Sequence, residues 1–123
     1  MRYLTDRKRA EGRGASGTGT EHHIFMQVSA VALAIIIPFF VYIVGSAIGS
    51  DYETVTAVFS RPIPAAMTAL ALIVGMRHFA KGTQMAIEDY FDGMTRKVLV
   101  LAMVILSYGL MAFGLFALVK LAL

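Results

Sequence analysis

The chain has 123 residues, 58% of them hydrophobic and 15% charged, with 11 Lys and Arg against 8 Asp and Glu and no cysteine. The apolar share exceeds the roughly 45–50% of soluble domains, and the mean hydropathy is +0.71, which indicates an integral membrane protein of one domain. Without cysteine it holds no disulfide, no thiolate metal site and no iron–sulfur cluster of its own; the net charge of +3 reflects membrane orientation rather than nucleic-acid binding.

Residues 1–23 form a polar arm whose second half is rich in Gly and Ser, which predicts a segment that is mobile or docked on a partner. Its basic residues, Arg2, Arg7, Lys8, Arg9 and Arg13, are compatible with a nucleic-acid arm or a transit peptide. Asp6, Glu11 and Glu21 argue against an acid-poor transit peptide, and with Met1 at the start no cleaved leader is expected. A cytoplasmic flank of the positive-inside kind is the reading adopted.

The first span, 24–48, has 25 residues, and its polar groups are Gln27, Ser29, Ser46 and the Tyr42 hydroxyl. It is too long for a signal-peptide core and lacks a cleavage site. Pro38 is expected to kink it, and Gly45 and Gly49, four apart, to permit a close helix contact. Residues 49–62 read as a short polar connection carrying Asp51, Glu53 and Arg61. Pro62 and Pro64 suit the opening turn of the next helix.

That second helix, 63–90, carries the unusual chemistry. Its strictly apolar run, 65–76, has only 12 residues, against the roughly 20 needed to cross the hydrocarbon core. A crossing segment must therefore take His78, and residues 81–84, into the membrane region. Good helix formers extend the helix to Tyr90. At about 100° per residue, Gly75, His78, Gly82, Met85 and Asp89 share one stripe. Asp89 lies about 16 Å beyond His78 along the axis, and Tyr90 is one step round, where the helix leaves the membrane. A glycine one turn to either side of His78 suits a flat, bulky ligand lying close to the backbone. From spacing alone a blander reading stays open, in which His78 tops a short helix and Arg77 and Lys81 snorkel to an interface. Intramembrane ionisable residues are otherwise functional candidates.

Asp92-Gly93 reads as a turn. A third span follows at about 98–120, in which Ser107 and Tyr108 carry the polar atoms and Lys120 is an interfacial anchor. Five Lys and Arg in the arm and four in residues 77–97 stand against two elsewhere, Arg61 and Lys120. The positive-inside rule then places the N-terminus in the cytoplasm, the C-terminus in the periplasm, and Asp89 and Tyr90 on the cytoplasmic side. A bacterial inner membrane is favoured over the mitochondrial one. The fold class is all-α integral membrane, with three transmembrane helices.

The pattern H-x3-G-x6-D-Y, as His78, Gly82, Asp89 and Tyr90, resembles the second transmembrane helix of the small hydrophobic membrane anchors of succinate dehydrogenase (respiratory complex II). The three-helix layout extends the resemblance over the whole chain. It implies that His78 is an axial ligand of haem b and that Asp89 and Tyr90 lie at a ubiquinone site beside an iron–sulfur subunit. The second haem ligand would come from a larger cytochrome b anchor subunit, so that the haem-binding bundle is shared by two chains. FAD and the iron–sulfur clusters would belong to the flavoprotein and iron–sulfur subunits. This chain would anchor them to the lipid bilayer and be catalytically inert alone.

Neutral imidazole donates a lone pair to haem iron, and Gly75 and Gly82 flank that ligand. Arg77 could pair with a haem propionate, although snorkelling would place it equally well. His22 and His23, before the first span, fit an interfacial or partner-contacting role. A Tyr90 hydroxyl can donate to a quinone carbonyl while Asp89 positions it or relays protons; in isolation, a tyrosine there is an aromatic-belt anchor. Glu88 and Asp92 read as solvated loop acids. Members of the family often carry an arginine after a Gln at the start of the first span, whereas residues 23–28 here are HIFMQV, which puts a propionate contact from that helix in doubt. The rival reading is a non-catalytic three-span subunit, an assembly factor or transporter component, with His78 and Asp89 in a polar helix contact or proton path.

Overall fold

The computed structural model describes residues 5–11 and 19–122. Five helices follow in order: α1 Asp6–Ala10, α2 Gly19–Ala47, α3 Tyr52–Phe59, α4 Pro62–Tyr90 and α5 Gly93–Ala122. No strand occurs among the described residues. In lipid, a helix satisfies its own backbone donors and acceptors, so long apolar segments become helices throughout. α2, α4 and α5 are each long and apolar enough to cross a membrane; the most apolar stretch of α4 has a mean hydropathy of 1.4, against 2.5 and 2.4 for the other two. The central helix is the polar one.

Helix ends differ from the span boundaries. α2 starts at Gly19 rather than 24, taking 19–23 out of the arm, and α5 starts at Gly93 rather than 98. Apolarity marks where hydrocarbon begins, whereas hydrogen bonding carries the helix on through polar residues at headgroup level. In the arm, α1 is capped by Thr5, whose side chain accepts from the Lys8 N–H, and the exposed Arg7 and Glu11 pair at 2.6 Å. The expectations for Arg2, Arg13 and the Gly/Ser-rich segment fall outside the described residues.

α2 continues through Pro38 without a break. Added Cβ atoms at Gly45 or Gly49 would meet nothing within 4 Å, so the expected close helix contact is not made there. Gly49 instead ends the helix: its φ of +80° is left-handed, and Ser50 N–H returns to the Ala47 carbonyl at 3.2 Å, a turn glycine adopts without a Cβ penalty. The connection at 49–62 holds a helix that apolarity did not reveal. Asp51 caps α3 by accepting the Thr54 N–H at 3.0 Å.

α4 is the centre of the fold. It packs against α2 on one side and α5 on the other, while α2 and α5 do not meet; α3 touches all three. The register with α2 is antiparallel, with Met26 near Gly82, Ser29 on His78 and Leu33 near Gly75. Most of the buried residues are small: Ala47, Ala71, Ala80, Ser29, Thr68 and Ser107. Lipid supplies no hydrophobic drive between helices, so small residues that allow close approach make the contacts. At the α4–α5 crossing, a Cβ added to Gly114 would lie 3.0 Å from Leu72 Cδ1.

Candidate functional site

Within the apolar region, the α2–α4 contact is fastened by a polar pair. Ser29 Oγ lies 2.7 Å from His78 Nδ1. The same oxygen is 2.7 Å from the Phe25 carbonyl and 3.1 Å from that of Met26, one turn back on α2. Ser29 is buried and His78 half-buried, and no described residue hydrogen-bonds His78 Nε2. Ser29 sits five residues inside the apolar stretch that begins at Ile24, so the imidazole is about 8 Å below its edge at 1.5 Å per residue. The register with α2 thus sets the histidine alongside the apolar stretch of α2, not beyond its end. Sequence reasoning noted Ser29 only as one of the few polar groups of the first span; nothing in that apolar span marks which face meets α4.

The stripe through Gly75, His78 and Gly82 faces α2. A Cβ at Gly75 would be 3.9 Å from Leu33 Cδ2, and one at Gly82 would be 3.4 Å from Met26 Cε. Both notches therefore receive side chains of α2. A flat ligand bound at His78 would lie to the side of these two residues, not against the glycines where Leu33 and Met26 stand.

Arg77 does not extend freely to an interface. Its guanidinium lies over the Phe25 ring, 5.5 Å from the centroid, a cation–π contact between α4 and α2. Arg77, Lys81, Gln84 and Glu88 follow one another at helical spacing and line a cleft of about 510 Å³ closed by Gly19, Glu21, His22 and Phe25 of α2. Gln84 Nε2 donates to Glu88 Oε1 at 2.8 Å. Glu88 is thus an exposed acid on α4, not in a loop, and it also lines a groove of about 320 Å³ with Arg96 and Lys97 of α5. Cations and acids alternate across this end of the molecule. It is suited to carboxylates and to partner surfaces of mixed charge.

Asp89 and Tyr90 end α4 beyond the cleft. Asp89 is exposed and Tyr90 is 85% exposed, so this chain alone forms no pocket around the tyrosine ring. Eleven residues separate His78 from Asp89, about 16 Å along the axis; with His78 about 8 Å inside, Asp89 stands at headgroup level or just outside it. The turn that follows is made by Gly93, with φ +60°.

His22 lines the cleft, but it precedes Ser29 by seven residues and so lies about 10 Å nearer the aqueous edge than His78. A metal coordinated at His78 could not be reached by His22 or His23. Among the described residues, no group of three or more His, Asp or Glu could hold a metal ion unaided. An iron centre bound here would need its other ligands from a macrocycle and another chain, and the donor chemistry of a lone, half-buried imidazole fits that arrangement.

A family model described as succinate dehydrogenase/fumarate reductase transmembrane subunit matches residues 1–119. The chain is similar to the succinate dehydrogenase hydrophobic membrane anchor subunit of Paracoccus denitrificans, with 49% identity over 123 residues, covering 100% of this chain and 95% of that relative. No solved structure matches it.

Proposed function

The chain belongs to the succinate dehydrogenase/fumarate reductase transmembrane subunit family, and on that premise we propose that it is the small hydrophobic anchor of a succinate:ubiquinone oxidoreductase. In this reading it docks the flavoprotein and iron–sulfur subunits on the cytoplasmic face of a bacterial inner membrane. A larger cytochrome b anchor subunit lies alongside it. FAD and the iron–sulfur clusters stay with the partners, and a haem b is shared between the two anchors.

The observation that carries the reading is the placement of His78 beside the apolar stretch of α2, half-buried and held by Ser29 at 2.7 Å. Haem b, when bound, supplies a one-electron redox centre in the membrane. His78 Nε2 is the donor this chain offers it. Arg77 and Lys81 in the adjoining cleft suit carboxylates of the propionate kind. Since α2 carries no arginine at this level, these cations of α4 take up the role doubted for the first span. Leu33 and Met26 exclude water from the α2 side.

At the end of α4, reduction of a quinone to a quinol takes two electrons and two protons. The electrons would come from the iron–sulfur subunit. The Tyr90 hydroxyl donates a hydrogen bond to the carbonyl oxygen that gains charge, and the Asp89 carboxylate, one residue away, positions that group or passes protons in from the cytoplasm. Exposure of Tyr90 in the isolated chain supports a pocket completed by a partner subunit. The charge asymmetry of nine Lys and Arg against two supports the orientation, with the N-terminus cytoplasmic and the C-terminus periplasmic.

The test is a reduced-minus-oxidised visible spectrum of the complex purified through a tag on this chain, wild type beside His78→Ala. A b-type signal lost or displaced in the variant is expected. A signal unchanged by the substitution would remove His78 from the haem and overturn this part of the reading.

A further inference from the structure

The contacts of Ser29 bear on which nitrogen of His78 carries the proton. A serine hydroxyl has one hydrogen and two lone pairs. Here its oxygen stands within hydrogen-bond distance of three groups: the Phe25 carbonyl at 2.7 Å, the Met26 carbonyl at 3.1 Å and His78 Nδ1 at 2.7 Å. The carbonyls can only accept, so the one hydrogen has two takers on α2 itself. Nδ1 is the one group of the three able to donate to Oγ. With the hydroxyl hydrogen bonded back along α2, the arrangement closes when Nδ1 carries the ring proton and donates to Ser29. Neutral imidazole then keeps its lone pair on Nε2, the nitrogen without a described partner.

We propose that Ser29 is a positioning residue for His78, fixing the imidazole in the Nδ1–H tautomer, with Nε2 free to coordinate. This rests on the reading of His78 as an iron ligand. It adds that the ligand is made competent by a residue on another helix of the same chain. The hydroxyl also fixes the ring plane, because a 2.7 Å contact from a buried serine leaves the imidazole little rotation about χ2. Partners of this kind usually orient a ligating histidine and set its basicity. Ser29 is a neutral acceptor already committed as a donor to α2, which gives the ring weaker anionic character than a carboxylate would.

The experiment uses the assembled complex purified through this chain, with Ser29→Ala, Ser29→Thr and His78→Ala beside wild type. Bound flavin reports assembly; haem per flavin, the haem midpoint potential and the low-temperature electron paramagnetic resonance of the ferric form report the ligand. Loss of the acceptor makes the imidazole a poorer donor, so Ser29→Ala is expected to retain flavin and raise the midpoint potential. It should also shift the ferric signal and weaken haem retention by about 10-fold. Ser29→Thr, which keeps the hydroxyl, returns potential and signal toward wild type. Unchanged potential and signal in Ser29→Ala, with His78→Ala still losing the haem, would overturn the role of Ser29 and leave the ligand assignment standing. Loss of flavin with Ser29→Ala, or no rescue by Ser29→Thr, would make Ser29 a packing residue and equally overturn it. A spectrum indifferent to His78→Ala would remove the ligand reading, and this inference with it.

Discussion

α4 meets its two neighbours in different ways. Toward α5 the contact is steric: Gly114 lets Leu72 approach so closely that an added Cβ would stand 3.0 Å away, and buried Ser107 spends its hydroxyl on its own helix, on the Met103 carbonyl at 2.7 Å. Toward α2 the contact is chemical: Ser29 on His78, Arg77 over Phe25, and a cleft lined by both signs of charge. One flank of α4 is close packing and the other carries the polar groups proposed as ligands. Because α2 and α5 do not touch, the two flanks are separable by mutation.

The largest effect is expected on the α5 side. Gly114→Leu places a branched side chain where Leu72 already lies, and overpacking of this kind costs about 1–3 kcal/mol or more. The α4–α5 contact is the most extensive in the molecule, so a wedge at its closest approach disturbs the whole packing of α5. Recovery of assembled complex from membranes is expected to fall several-fold, with the haem spectrum of the surviving fraction unchanged. A surviving fraction with an altered haem would show that the flanks are coupled.

Next in size is Tyr90→Phe. On the proposed reading it deletes one hydrogen bond to a reacting carbonyl, which corresponds to about 10- to 100-fold in quinone reduction at roughly 1–3 kcal/mol. Succinate oxidation with an artificial soluble acceptor is expected to stay at the wild-type rate, and the haem spectrum with it. Equal loss in both assays would assign Tyr90 to docking of the catalytic head. Smaller still is Gly82→Ala, which asks Met26 Cε, 3.4 Å from the new Cβ, to move by a few tenths of an ångström. A thioether end adapts readily, so the expected cost is below about 1 kcal/mol, read as a change in haem retention of less than about five-fold. A total loss of haem would show that the glycine itself borders the ring.

The spans were legible because uninterrupted apolarity of this length has one physical outcome in a bilayer, and the short apolar run before Arg77 marked α4 as the exception. Helix ends were not legible, since Thr20, Glu21 and Met94 continue helices that hydropathy had ended. α3 stayed hidden because it is only 8 residues long: its amphipathic period spans about two turns, and its clearest mark is a cap, Asp51 with Thr54. His78 was legible as an ionisable residue that the span could not exclude; the quinone roles proposed for Asp89 and Tyr90 came only with the family pattern. Ser29 was out of reach. α2 is apolar all round, so its sequence does not say which face meets α4, and a serine bonded to its own helix looks like any other.

The smallest predicted effect lies where the two flanks are bridged. Besides α4, α3 touches both α2 and α5, at the end of α2 remote from Ser29, which is 18 residues before Ala47 and so about 27 Å away. Hydrogen bonds from the Thr54 side chain and then from its N–H hold the exposed Asp51 carboxyl below its ordinary value of 3.8. A depressed folded value means that the cap is at full strength above pH 3.8 and weakens as pH falls through the lower, folded value. Between about pH 5 and 8 the protection of α3 amides from hydrogen exchange is therefore expected to vary with pH only as intrinsic exchange does. Asp51→Ala should fray α3 at every pH, and Asp51→Asn, which still caps, should keep it ordered and abolish the acid-induced loss. Neither should move the haem potential, because the change is confined to the bridge at the far end of the helices. A shift in potential from Asp51→Ala would mean that strain at the bridge travels along α2 to Ser29, and the two flanks of α4 would then have to be treated as one mechanical unit.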